Sequence, residues 1–276
     1  MSGYVVGVDG SAQSSVALDW ALKRASRDRQ PVRLVLVIDD EAGLVGEDYA
    51  LDAERAGLKT LATATAGARE RYPDLEITSS PLLGSVPWEL SHAATSADVL
   101  VIGTHRAGPS AGTVLGSRSV QVASITPALL AVIPAVPVDE SGPVVAGVSM
   151  RERGGSAVLH AAAEAAASGR DLLLVLAAVP AEPGKLGDAH TALAHTALAE
   201  AKAVALEVHP GLTVSTEFVT ADPAEALLDA ASRHASMVVL GPSRTFGSTG
   251  SPIGTVTQSM LLNAPCPVLV TRYSSV

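Results

Sequence analysis

Four short segments of this 276-residue chain recur about 140 residues further along it. The matching pairs are residues 5–9 (VVGVD) with 145–149 (VAGVS), 99–103 (VLVIG) with 237–241 (MVVLG), 116–119 (GSRS) with 254–257 (GTVT), and 127–132 (PALLAV) with 267–271 (PVLVT). A repeat of this length is too long for a solenoid unit and has the size of a domain. The repeat therefore predicts two tandem domains, residues 1–138 and 143–276. Their joint is expected near residues 135–142, where proline, glycine, serine and acidic residues cluster.

Within the first half, short aliphatic runs alternate with alanine-rich segments of helical pattern. The runs predict strands at residues 4–8, 33–38, 75–78, 99–102 and 128–133, and the alanine-rich segments predict helices at 14–26, 48–71, 86–94 and 117–124. Aliphatic runs bounded by turn residues are typical of strands buried on both faces. Strand–helix alternation implies right-handed βαβ units. We therefore expect an α/β fold with a parallel sheet.

Composition narrows the classes of function. The net charge is −9 and no run of five or more basic residues occurs, so a nucleic-acid-binding surface is not expected. Aromatic residues make up 3% of the chain, too few for stacking on bases as a main binding mode. The single cysteine, Cys266, excludes an intrachain disulfide framework. The N-terminal residues do not resemble a signal peptide, and no apolar run could span a bilayer, so we expect a soluble, cytoplasmic protein with no membrane partner.

The segments that follow the predicted strands carry the chemistry. Ligands of open α/β sheets bind beyond the carboxyl ends of the strands. There the sequence places Asp9-Gly10-Ser11 after the first strand, Asp39-Asp40 after the second, and a glycine-rich loop, residues 103–117, after the fourth. The loop ends at Gly116-Ser117, where a helix is predicted to begin, and free N–H groups and hydroxyls at such a place can hold a phosphate. Neither the Walker A nor the Rossmann glycine pattern is matched, and a plain turn is the alternative interpretation.

Taken together, these residues resemble the universal stress protein family in its tandem, two-domain form. The shared features are Asp-Gly-Ser after the first strand, Val-Ile-Gly-Thr-His at the end of the fourth, Gly-Ser opening the last helix, and a proline-flanked final strand, as in residues 263–270 (NAPCPVLV). The resemblance covers residues 3–273. It implies that each half is a doubly wound, five-stranded parallel sheet of the adenine nucleotide α-hydrolase-like kind, flanked by helices. It also implies that the halves pair through their last strands as an intrachain pseudo-dimer, with a homodimer of the whole chain as a further option.

The resemblance also implies a set of binding residues. Nucleotide-binding members of the family carry glycine, two residues, glycine, nine residues, then Gly-Ser or Gly-Thr, and they keep an aspartate after the first strand that contacts the nucleoside. Carried over residue by residue, the candidates are Asp9, Val37, Ile102, Gly103, Arg106, Gly116, Ser117 and Ser119 in the first half, and Gly241, Gly254, Thr255 and Thr257 in the second. The first half is favoured because Ser149 stands where the second half would need the aspartate.

Both halves depart from the binding pattern at one position. Arg106 and Arg244 stand where binding members have their second glycine, although the nine-residue spacing to Gly116 and Gly254 is intact. An arginine there could close the path of the phosphates, or its guanidinium could replace backbone donors as a phosphate partner. Two interpretations follow: a module that binds ATP, with Mg²⁺, and acts through binding and dimerisation, or a scaffold of the non-binding branch.

An enzyme and a metal site are not predicted. The sequence suggests no paired nucleophile and base. His190 and His195 are five residues apart, which places them about 140° apart around a helix and not on one face. The acidic run of residues 39–41 (DDE) could hold Mg²⁺ together with phosphates, and a solvated loop is the alternative. The capping signal Asp222-Pro223-Ala224-Glu225 predicts a helix start and no function.

Overall fold

The computed structural model describes residues 3–39, 47–94, 99–104, 118–135, 140–150, 155–179, 187–241 and 253–272. The chain divides into two compact units, Met1–Ala135 and Val136–Val276. Each unit alternates strands with helices. Unit 1 contains β1 (Tyr4–Gly7), α1 (Ala12–Asp28), β2 (Val32–Ile38), α2 (Glu47–Arg71), β3 (Ile77–Leu83), α3 (Val86–Ala93), β4 (Val99–Thr104), α4 (Arg118–Ile125) and β5 (Leu129–Pro134). Unit 2 contains β6 (Val144–Gly147), α5 (Ser156–Ser168), β7 (Leu172–Ala177), α6 (Asp188–Val208), β8 (Val214–Val219), α7 (Pro223–Ser232), β9 (Met237–Leu240), α8 (Thr255–Asn263) and β10 (Val268–Val270).

Each unit has a parallel sheet of five strands, as predicted. The strand order is β3-β2-β1-β4-β5 in unit 1 and β8-β7-β6-β9-β10 in unit 2. In unit 1, Tyr4 of β1 pairs with Val32 of β2 on one side and with Val99 of β4 on the other. The chain thus builds outward from β1 in one direction and then in the other, which creates a topological switch point between β1 and β4. Ligands of this class of fold bind at such a point.

Alanine allows the helices to approach the sheets closely. Ala17, Ala21 and Ala25 are fully buried and lie four residues apart, so they form one stripe along α1. Aliphatic side chains fill the sheet beneath, among them the fully buried Leu34 and Leu100. Small helix residues over β-branched and leucine-rich strands explain how the chain builds its cores with few aromatic residues.

One element corrects the sequence-based expectation. The prediction placed a strand buried on both faces at residues 75–78, whereas β3 begins at Ile77, continues to Leu83, and is buried only at Ile77. The strand lies at the edge of the sheet, so one side has no neighbouring strand to cover it. Pro81 is tolerated within β3 because an edge strand does not need every N–H group. The polar and proline residues that hid this strand from the sequence pattern are those that suit an edge.

The helix starts follow capping chemistry. Asp222 caps α7 as predicted, and its Oδ1 accepts hydrogen bonds from the N–H groups of Ala224 at 2.8 Å and Glu225 at 3.3 Å.

Cys266 is buried, as is common for a small core residue, and burial raises the pKa of its thiol to about 12. Of the helices in the described ranges, none combines the length and apolar character that crossing a membrane requires.

Candidate functional site

The connection from β1 to α1 is held by three polar side chains. The N–H group of Ser11 donates to Asp9 Oδ1 at 2.9 Å, and the Ser11 hydroxyl donates to the same oxygen at 2.6 Å. Ser11 is also the N-cap of α1, and its Oγ accepts from the N–H of Ser14 at 3.1 Å. The Ser14 hydroxyl donates in turn to the Ser11 carbonyl at 3.0 Å. The hydrogen bonds that begin the helix therefore also orient the Asp9 carboxylate.

The Asp9 carboxylate is held in its ionised form. Partial burial on its own would raise its pKa, but the hydrogen bonds donated by the side chain and backbone of Ser11 and by Ser14 outweigh that effect. The pKa of Asp9 therefore lies below its usual value of 3.8. At neutral pH this side chain is an oriented acceptor with a full negative charge.

Two glycines allow other parts of the chain to approach the backbone closely beside Asp9. Gly10 has φ of +80°, and a Cβ there would lie 2.9 Å from Cγ2 of Thr60 on α2. A Cβ on Gly103, in β4, would lie 2.4 Å from the Gln13 carbonyl oxygen and 2.9 Å from the Ser14 nitrogen. Because those are backbone atoms of the first turn of α1, only glycine at 103 lets that turn lie directly against the end of β4.

A cavity of about 200 Å³ lies at the carboxyl ends of β1, β2 and β4, at the switch point of the sheet. Its described lining consists of Gly7, Val8, Asp9, Ser11, Gln13, Ser14, Val35, Val37, Asp39, Val86, Leu90, Ile102, Gly103, Arg118, Ser119 and Val122. The volume is below the roughly 300–1,000 Å³ typical of whole small-molecule sites. Residues 105–117, which connect β4 to α4, lie outside the described residues. The described walls therefore enclose less space than a whole small-molecule site.

The lining combines apolar walls with polar groups of defined charge. Aliphatic side chains from the strands and from α3 and α4 form the walls: Val8, Val35, Val37, Val86, Leu90, Ile102 and Val122. Asp9 and Asp39 contribute carboxylates, Ser11, Ser14 and Ser119 contribute hydroxyls, and Gln13 contributes an amide. An apolar slot with a few polar groups suits a flat, partly apolar ligand that carries hydrogen-bond donors.

The structure brings together five of the residues that the sequence singled out in the first half. Asp9, Val37, Ile102, Gly103 and Ser119 all line the cavity, although they come from three strand ends and the start of α4. Ser119 is 4% exposed. The predicted residues Arg106, Gly116 and Ser117 lie outside the described residues, as do the acidic Asp40 and Glu41.

In the second half, the predicted residues fall at corresponding places. Gly241 follows β9, and Gly254 is the N-cap of α8, where its carbonyl accepts from the N–H of Gln258 at 3.0 Å. Thr255 is the first residue of α8, and Thr257 is 6% exposed, close to the value of Ser119 in unit 1. Arg244 lies outside the described residues. The predicted role of these residues in binding stays a prediction.

Sequence reasoning missed the contribution of two helices, α1 and α3, to the cavity. Val86 and Leu90 of α3, and Gln13 of α1, line it without belonging to any strand-end motif. A signal for α3 existed in the sequence, since Val86 and Leu90 are four residues apart and share a helix face. Arg118 of α4 also lines the cavity and was not among the predicted site residues. In the described ranges, no three His, Cys, Asp or Glu side chains lie together where they could hold a metal ion.

Known proteins share both the sequence pattern and the fold. The sequence profile described as the universal stress protein family matches residues 4–134 and again residues 141–272. A universal stress protein of Mycobacterium tuberculosis is 30% identical over 288 residues, which cover 99% of this chain and 97% of that protein. The crystal structure of a universal stress protein from Archaeoglobus fulgidus covers 99% of this chain and 97% of its own, with a TM-score of 0.76 and 17% identity, and it supports the fold alone.

Nucleotide complexes occur among the solved members. A universal stress protein from Archaeoglobus fulgidus was solved in complex with dAMP, at 23% identity over 47% of this chain and 96% of that one. Another was solved in complex with cAMP, at 24% identity over 49% of this chain and 98% of that one. With a TM-score of 0.38 each, these two carry no argument about a site in this chain. The two profile matches account for nearly the whole sequence, and the chain therefore belongs to the universal stress protein family, with two of its domains in tandem.

Proposed function

We propose that unit 1 binds an adenine nucleotide in the cavity at the ends of β1, β2 and β4. The observation that carries this proposal is the convergence of Asp9, Val37, Ile102, Gly103 and Ser119 on one cavity at the switch point of the sheet. These residues come from separate parts of the chain. Their meeting at the place where this class of fold binds ligands supports binding as the role of unit 1.

The nucleoside portion is assigned to the apolar end of the cavity. Val37 and Ile102 offer aliphatic surface to a base, and Asp9 accepts from the ribose hydroxyls or from the adenine amino group. The Asp9 carboxylate is ionised and oriented by Ser11, so it accepts without first having to be reorganised. A hydrogen bond to a charged group contributes about 1.5–3 kcal/mol, and we assign a contribution of this size to Asp9.

The phosphate portion is assigned to the start of α4. The dipole at a helix N-terminus favours an anion, and the buried Ser119 lines the cavity at that end of α4. Asp9 and Asp39 put two negative charges on the same lining. ATP would therefore bind with Mg²⁺, which offsets the charge of its phosphates and accepts oxygen ligands.

We further propose that the protein is a nucleotide-responsive binding module rather than an enzyme. Binding would change contacts with a second copy or with a partner protein, so that dimerisation reports the nucleotide. The buried thiol of Cys266 suits a reducing compartment, in line with a cytoplasmic location. The pairing of the two halves as a pseudo-dimer stays a prediction.

Calorimetric titration of the full chain with ATP and Mg²⁺ tests the proposal. We expect saturable binding near one site per chain. Asp9→Asn keeps an oxygen that can accept from Ser11 but removes the charge, so the affinity should fall roughly tenfold to a hundredfold. Asp222→Asn is the matched control, because Asp222 also accepts backbone hydrogen bonds as an N-cap but belongs to α7, and it should leave the affinity unchanged.

The opposite result supports the scaffold interpretation. If millimolar ATP gives neither heat nor a shift of the melting temperature, unit 1 does not bind the nucleotide. The arginines at positions 106 and 244 would then be read as residues that close both loops, and the protein as a scaffold of the non-binding branch. If ATP binds but Asp9→Asn leaves its affinity unchanged, binding occurs elsewhere than in this cavity.

A further inference from the structure

An ion pair connects two elements that line the cavity. Nη2 of Arg118, the first residue of α4, lies 3.6 Å from Oδ2 of Asp39, the residue that follows β2. Both residues line the cavity, and their side chains are 66% and 36% exposed. The pair therefore lies where the cavity opens to solvent, between the end of the sheet and the helix to which we assign the phosphates.

Arg118 is the one cationic side chain among the described residues of the lining. A distance of 3.6 Å is too long for a close hydrogen-bonded fork, and exposed ion pairs of this kind contribute little to stability. The guanidinium can therefore leave Asp39 at small cost. A phosphate that it contacts in a bidentate manner is a stronger partner than this carboxylate at 3.6 Å.

We propose that Arg118 exchanges Asp39 for the ligand's phosphate, and that Asp39 is a competing counter-ion that sets how strongly the site prefers a nucleotide over its nucleoside. The inference rests on the proposed function, since it assigns residues to the phosphate end of the same cavity. It makes Arg118 a binding residue in addition to those predicted from the sequence, and it makes Asp39 a residue that weakens phosphate binding.

The proposal separates two ligands that differ only in phosphate. Adenosine occupies the Asp9 end and leaves the ion pair in place, so neither Arg118 nor Asp39 should affect it. AMP must compete with Asp39 for the guanidinium. Loss of Arg118 should therefore weaken the binding of AMP, and loss of the Asp39 charge should strengthen the binding of AMP.

The test is titration of the full chain with adenosine and with AMP at one low ionic strength. For Arg118→Gln we expect AMP to bind at least tenfold more weakly and adenosine to stay within twofold of the unchanged protein. Arg118→Lys, which keeps the charge but not the planar fork, should recover part of the AMP affinity. Asp39→Asn should strengthen AMP binding about threefold to tenfold. The matched control is Arg233→Gln, which removes an exposed arginine paired with Glu217 at 2.9 Å in unit 2 and should change neither affinity.

A double substitution distinguishes exchange from simple repulsion. If Asp39 acts by competing for Arg118, the gain from Asp39→Asn should vanish in the Arg118→Gln background, whereas general repulsion of the phosphate by Asp39 would leave the gain intact. An intact gain overturns the exchange. Equal effects of Arg118→Gln on adenosine and AMP, or no effect on AMP, also overturn it while the proposed function stands. If adenosine gives no measurable heat, the exchange is tested by the AMP titrations of Arg118→Gln, Arg118→Lys, Asp39→Asn and the double variant. If neither ligand nor ATP binds, the proposed function itself has failed.

Discussion

Helices α1 and α5 hold corresponding places in the two units, and they end alike but begin differently. Arg29 and Gly169, 140 residues apart, are both left-handed C-caps, with φ of 53° and 65°. The residue after each cap donates to a carbonyl five residues back, Gln30 to Ala25 and Arg170 to Ala165, both at 2.9 Å. At the other end, α1 begins at Ala12, whereas α5 begins at Ser156, four residues later on the same offset.

The difference follows from the residue before each helix. Ser11 caps α1 through its side chain, whereas Gly155 caps α5 with no side-chain hydrogen bond. Glycine also disfavours helix, by about 1 kcal/mol relative to alanine, and Gly154 and Gly155 stand together before α5. The added turn of α1 is the one that supplies Gln13 and Ser14 to the cavity. The comparison teaches that the residue that caps a helix, and not only the residues that line a cavity, helps to build the wall of the cavity in unit 1.

The contact between the first turn of α1 and β4 gives the largest expected effect. Gly103→Ala would place a Cβ 2.4–2.9 Å from backbone atoms of Gln13 and Ser14, so the turn or the strand must shift. We expect the free energy of unfolding of unit 1 to fall by about 3 kcal/mol, the upper part of the range for overpacking. Urea unfolding followed by tryptophan fluorescence measures it, because Trp20 and Trp88, the two tryptophans of the chain, both lie in unit 1.

The control for Gly103 is a glycine with open space around it. A Cβ on Gly67, inside α2, would meet nothing within 4 Å. Gly67→Ala should therefore stabilise unit 1 by about 0.5–1 kcal/mol through helix propensity. If Gly103→Ala is as well tolerated as Gly67→Ala, the first turn of α1 does not lie against β4 as described.

The shared helix ends predict opposite effects in the two units. Gly169→Ala forces a side chain into a left-handed conformation and should cost about 1 kcal/mol, although a Cβ there would meet nothing within 4 Å. Arg29→Gly removes the same strain from α1 and should stabilise unit 1 by up to about 1 kcal/mol. Calorimetric melting of the full chain measures both. Changes of the same sign would show that the two C-caps are not equivalent.

The unequal helix starts predict a smaller pair of effects. Ser11→Ala removes the cap and should cost unit 1 about 1 kcal/mol, while Gly155→Ser adds a capping side chain to α5 and should gain only a few tenths. Ser11→Ala should also weaken ATP binding, because Asp9 loses the hydroxyl that orients it. Calorimetric melting and ATP titration of the two variants check these values. If Ser11→Ala leaves the affinity unchanged, the cap and the site are independent.

The sequence was sufficient for the architecture because its signals were local or repeated. Aliphatic runs placed β1, β2, β4 and β5 to within two residues, and the parallel sheets were predicted correctly. The edge strand β3 was predicted too short, since Ser79, Ser80 and Pro81 interrupt its apolar pattern. An edge strand needs less apolar surface than a central one, so periodicity detects it poorly.

The candidate site was predicted in part, for a reason that is also physical. Asp9 follows β1 and Gly103 lies near the end of β4. Because the carboxyl ends of parallel strands meet, the proximity of the two residues follows from topology. Gln13 and Leu90 reach the cavity through the length and packing of helices, which a linear pattern does not contain. The reason for glycine at 103 was also missed: the described structure explains it by the close approach of α1, whether or not a phosphate is bound.

The pH dependence of stability gives the smallest expected effect, and it separates Asp9 from Ser149, the residue at its place in unit 2. The hydrogen bonds from Ser11 hold the pKa of Asp9 below its usual 3.8, so its ionised form stabilises the fold. That contribution is fully present above the unfolded pKa and is lost as the pH falls through the folded one. The advantage of the unchanged protein over Asp9→Asn in free energy of unfolding should therefore shrink as the pH is lowered from 5 towards 3.

Urea unfolding followed by tryptophan fluorescence measures this difference in free energy of unfolding in unit 1. Other carboxylates with a lowered pKa, such as Asp28, act equally in both proteins, so their effects cancel in the difference. Ser149→Ala, measured by calorimetric melting, should show no such convergence, because serine does not titrate in this range. If the difference in free energy of unfolding between the unchanged protein and Asp9→Asn stays constant with pH, Ser11 does not preferentially bind the ionised carboxylate. Asp9 would then not be the oriented, ionised acceptor that we assign to unit 1.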